Sequence, residues 1–82
     1  TAAGLEACRQ RQDAADAVLT VARRTLTDWE EHIGHMDALR AGKLDPGHAL
    51  HLWDRMYERG KVALQDYDVA YRHLEQLPEC PL

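Results

Sequence analysis

The sequence predicts an all-α fold: a long antiparallel helical hairpin that pairs with a second copy into a four-helix bundle. Three observations carry this. Apolar residues recur in steps of three and four along two long stretches, one cluster of helix-ending and helix-starting residues separates them, and sheet-forming residues are scarce. Among 82 residues there are 12 Ala and 11 Leu, but only one Ile, four Val, three Pro and no Phe.

The first helix is expected over about residues 5–41, because Leu5, Cys8, Ala15, Leu19, Ala22, Leu26, Trp29, Ile33 and Met36 form one heptad-like stripe with a polar gap at Gln12. The turn is expected at about 42–45: Gly42 suits the left-handed residue that closes a helix, and Asp45 suits an N-cap followed by Pro46 at the first helical position. The second helix is expected over about 46–77, its stripe running Ala49, Trp53, Met56, Gly60, Ala63, Tyr67, Ala70, Leu74 and Leu77. Pro78 ends it, and with Pro81 it keeps residues 78–82 extended. A link this short forces the helices antiparallel, so the chain reads as one domain over 1–82.

Such a small chain buries only about 60% of its unfolded surface and needs a staple or a partner. The cysteines offer the staple. In this hairpin, residues at equal height have numbers summing to about 87 or 88, at the rise of 1.5 Å per helical residue. Cys8 and Cys80 meet that condition and contain no CxxC or zinc-type spacing, so they are expected to form a disulfide clamping the open end. A structural disulfide implies a secreted or extracytoplasmic location. The start at Thr1, without an initiator Met, reads as a processed or trimmed N-terminus.

The apolar surface exceeds what one hairpin buries. At 100° per residue, the apolar arc of the second helix spans about 160°, from Leu52 through Trp53 to Leu50, with Leu50, Tyr57, Leu64 and Tyr71 as its outer row. Val18, Val21 and Leu39 flank the first stripe. A homodimer is expected to cover this surface, with Trp29, Trp53, Tyr57, Leu64, Tyr67 and Tyr71 at the interface; the alternative is a monomer whose arc stays partly exposed or is covered by another protein. Gly60, level with Trp29, is expected to make room for its ring, whereas Gly34 has no packing role in this scheme.

Chemistry is sparse. Ten basic residues against 14 acidic give a net charge of −4, which excludes a basic nucleic-acid-binding surface, and no apolar run is long enough to span a membrane. Ser is absent, no phosphate-binding glycine loop occurs, and Thr1, Thr20, Thr25 and Thr27 lack a His–acid relay, so no enzymatic activity and no cofactor are expected. The exception to weigh is histidine: His32-x-x-His35, with Met36, and His48-x-x-His51 flank the turn at spacing that suits copper or zinc. Phase opposes a shared site, since it puts His35 and His51 on diverging outer faces, while Met36 lies on the core stripe. Asp28–His32 and Glu31–His35 read as ordinary i, i+4 surface pairs. The expected function is therefore a non-enzymatic protein-binding or accessory domain, with extracytoplasmic metal binding as the alternative.

The stretch from Trp29 to Lys43, followed by the Asp45-Pro46 helix start and His51-Leu52-Trp53, resembles small exported helical proteins of actinobacteria. The resemblance implies export. It carries no activity and no site residue.

Overall fold

The computed structural model describes residues 1–81, and these form two helices, α1 (Ala2–Arg40) and α2 (Pro46–Gln76), with no strand among them. The helices lie antiparallel. α1 starts earlier than its apolar stripe because Thr1 caps it, the hydroxyl accepting from the Gly4 amide at 3.0 Å. Its end is a Schellman closure: the Lys43 amide donates to the Ala38 carbonyl and the Gly42 amide to Leu39. Gly42 adopts φ 73°, a conformation that disfavours any residue with a Cβ. Asp45 then caps α2, its carboxylate accepting from the His48 amide at 3.0 Å, with Pro46 in the first turn. At the open end Cys8 and Cys80 stand at disulfide distance, their Cα atoms 4.4 Å apart across a sequence separation of 72.

The seam between the helices differs from the one the periodicity suggests. In α1 the half-buried row includes Ala7, Arg11, Val18, Val21, His32 and Leu39 around the buried Ala14. Val18, Val21 and Leu39, expected as a flank, therefore lie in the seam. Leu19, Leu26, Trp29, Ile33 and Met36, expected to form it, are exposed beside it. Both rows repeat at three and four residues, but two helices can bury only one row each. Small side chains at the seam let the axes approach, whereas the bulky row would wedge them apart.

Among the described residues only Ala14 and Ala63 are buried, the latter 2% exposed. The hairpin is consequently one helix thick, with principal extents of 62 × 19 × 11 Å and a radius of gyration of 18.6 Å. A compact domain of this length has a radius near 12 Å. Two packed layers around a core are the usual architecture, and here there is one layer. Because Ala63 is the most buried residue between the helices, Ala63→Leu is expected to push them apart and cost about 1–3 kcal/mol, read by urea unfolding. A change under 0.5 kcal/mol would show that the seam is loose at this height.

Candidate interaction face

The two sides of this single layer differ in chemistry. On one side charges cross between the helices: Arg24 reaches Asp66 at 2.7 Å, and Arg59 lies 3.5 Å from Asp28 and 3.7 Å from Glu31. These are half-exposed pairs worth at most about 1 kcal/mol each. Their positions were open to the same height rule that pairs the cysteines, since Arg59 is level with Asp28 and Arg24 nearly so with Asp66. Near the start of α1, a hydrogen bond from Arg9 at 2.6 Å holds the Glu6 carboxyl below its ordinary range and raises the Arg9 guanidinium in turn.

The other side is apolar. α1 contributes Leu26, Trp29, Ile33 and Met36, and α2 contributes Leu50, Trp53, Tyr57, Leu64, Tyr67 and Tyr71. Leu26, Trp29, Leu50, Tyr57 and Leu64 are each more than half exposed. Rings gather along it. His32 lies between Trp29 and Trp53, with centroids 5.4 and 4.9 Å away, Tyr67 stacks on Tyr71 at 5.9 Å, and the Lys61 ammonium stands 4.7 Å over the Tyr57 ring. A groove of about 460 Å³ runs down the middle, walled by Leu26, Trp29, Tyr57 and Leu64 and floored by Met56 and Gly60.

All six residues expected at an interface thus share one surface, together with Leu26, Ile33 and Met36, whose periodicity alone points to the seam. Trp29 does not fill the space above Gly60 as expected: a Cβ built there meets nothing within 4 Å. That space is open.

The histidines fall into two environments. His35 is half-buried in a groove beside Met36, Leu39 and Trp53, not on the outer face, because the seam row precedes the bulky stripe by one position. His48 and His51 are exposed on the first turns of α2, their rings 6.4 Å apart. Among the described residues no three His, Cys, Asp or Glu side chains are placed to hold a metal ion. No described helix is long and apolar enough to cross a membrane. No protein family, curated protein or solved structure matches the chain.

Proposed function

We propose that this chain is a non-enzymatic, extracytoplasmic interaction module whose apolar face binds protein, first of all a second copy of itself in a four-helix bundle. One observation carries the reading: the bulky apolar residues of both helices converge on one side of a layer that has almost no core of its own. Monomeric soluble proteins rarely leave so continuous an apolar surface in water.

Areas support the same conclusion. The hairpin exposes 6349 Å², whereas a globular monomer of 9.3 kDa exposes about 5,000 Å². A globule of twice that mass exposes about 8,200 Å², so two separate hairpins carry up to about 4,500 Å² in excess. Obligate homodimers bury about 2,000–5,000 Å² in total, which makes a second copy a sufficient cover. The clamped cysteines support a location outside the cytoplasm, where such bonds persist.

Sedimentation equilibrium at tens of micromolar is expected to give twice the 9.3 kDa chain mass, with a Tm that falls on dilution. A monomer whose Tm is independent of concentration would refute self-association.

A further inference from the structure

We infer that the second copy lies on the apolar face with its turn at the opposite end, so that α1 packs on α1 and α2 on α2 about a twofold axis near Ala22. The inference rests on the self-association proposed above and fixes its geometry. Two flat hairpins stacked face to face with twofold symmetry have two arrangements, turns together or turns apart. The distribution of side-chain size along the face separates them.

On α1, bulk is concentrated toward the turn. The turn half of its face carries Leu26, Trp29, Ile33 and Met36, all exposed, while the open half carries Cys8, Ala15 and Ala22 with Leu5 and Leu19 as its two large residues. On α2 the two halves are equally bulky, with Leu50, Trp53 and Tyr57 toward the turn and Leu64, Tyr67 and Tyr71 toward the open end. With turns together, helix α1 of one copy faces α2 of the other at equal height. Trp29, Ile33 and Met36 then meet Tyr57, Trp53 and Leu50, large against large, and the bundle is wedged open at that end. Interiors pack to uniform density, and a wedge leaves voids or unburied rings.

With turns apart, Trp29 and Met36 of α1 meet small residues, while Leu26 comes level with Leu19 and Leu64 with Tyr67 of the other copy. An axis near Ala22 pairs α1 positions whose numbers sum to about 44 and α2 positions whose numbers sum to about 132, given the rise per residue and the register of the hairpin. Trp29 then faces Ala15, and Met36 faces Cys8. Tyr71 comes level, within about one residue's rise, with Gly60 of the other copy, where a Cβ would have nothing within 4 Å. Alternation of large and small residues across facing positions is what close-packed layers require. The axis also lies at the middle of α1, so nearly all of Ala2–Arg40 overlaps its counterpart.

The test measures the distance between the two turns. Lys43 is exposed beside Gly42, and Lys43→Cys, labelled with a nitroxide without reductant so that Cys8–Cys80 stays intact, places one spin at each turn. With turns apart, double electron–electron resonance should give a separation close to the molecular length of 62 Å. With turns together the spins sit across one bundle end, about 30 Å or less apart for helix layers about 10 Å apart. The short distance in a sample that sediments as a dimer would overturn this orientation and leave self-association standing. A sample that sediments as a monomer would overturn both.

Discussion

Reduction of the Cys8–Cys80 pair is expected to lower the Tm by about 20 °C. The two residues close a loop spanning a sequence separation of 72, and the chain-entropy model assigns such a loop about 4 kcal/mol of stabilisation. For a domain of this size each kcal/mol moves Tm by about 4–8 °C. The effect should be large here because the described chain has only two buried residues, both alanines, to resist unfolding of the open end. Thermal denaturation followed by circular dichroism, at one protein concentration with and without reductant, measures it. The Cys8→Ala/Cys80→Ala variant should match the reduced protein. A shift below about 5 °C would show that the clamp contributes little, and two reactive thiols per denatured, unreduced chain would show that it does not form.

Leu64→Glu is expected to weaken self-association about a thousandfold. In a single hairpin Leu64 is 70% exposed, so the substitution should alter the stability of the isolated chain by no more than about 0.5 kcal/mol. In the bundle each copy buries its own Leu64, and burying such a side chain is worth about 1.5–3 kcal/mol. Losing two of them amounts to about 4 kcal/mol, or a factor near 10³ in Kd. Val62→Glu is the matched control, because Val62 is 54% exposed on the charged side beside Arg24 and Arg59. Sedimentation equilibrium should find the Val62 variant dimeric and the Leu64 variant monomeric. Equal Kd values for the two would remove the apolar face from the interface.

The two helices and the turn between them were legible because each rests on local chemistry, whereas the start of α1 at Ala2 was not, because its Thr1 cap lies ahead of the apolar stripe. Gly42, Asp45 and Pro46 mark the turn through backbone conformation and capping, which depend on a few neighbouring residues and not on tertiary context. The cysteine pair was legible for a different reason: once two antiparallel helices share a short turn, height alone decides which residues meet. The seam was not legible in the same way. Periodicity identifies a stripe two rows wide, and both rows satisfy the spacing of three and four. Which row turns to the neighbouring helix depends on axis separation, and Ala14 and Ala63 set that separation through their small size. The prominent row of Leu26, Trp29, Ile33 and Met36 was therefore assigned inward when it lies beside the seam. The same displacement of one position moved His35 from an expected outer face into a half-buried groove.

The antiparallel register also restricts how this chain can change length. Every interhelical contact encloses those nearer the turn, so the pairing of Arg24 with Asp66 contains that of Arg59 with Asp28. Adding a residue within either helix rotates everything on one side of it by about 100°, which carries the apolar row toward the charged side. It also slides one helix against the other by about 1.5 Å, so the cysteines lose their common height. The segment from Ala41 to Leu44 carries none of the apolar-face residues, and it is the place where insertions leave both faces aligned. Length variation among descendants of this sequence should therefore collect at the turn and in the tail after Cys80, while substitutions accumulate freely along the outer charged positions. An architecture one layer thick thus tolerates many exchanges of residue and very few changes of spacing.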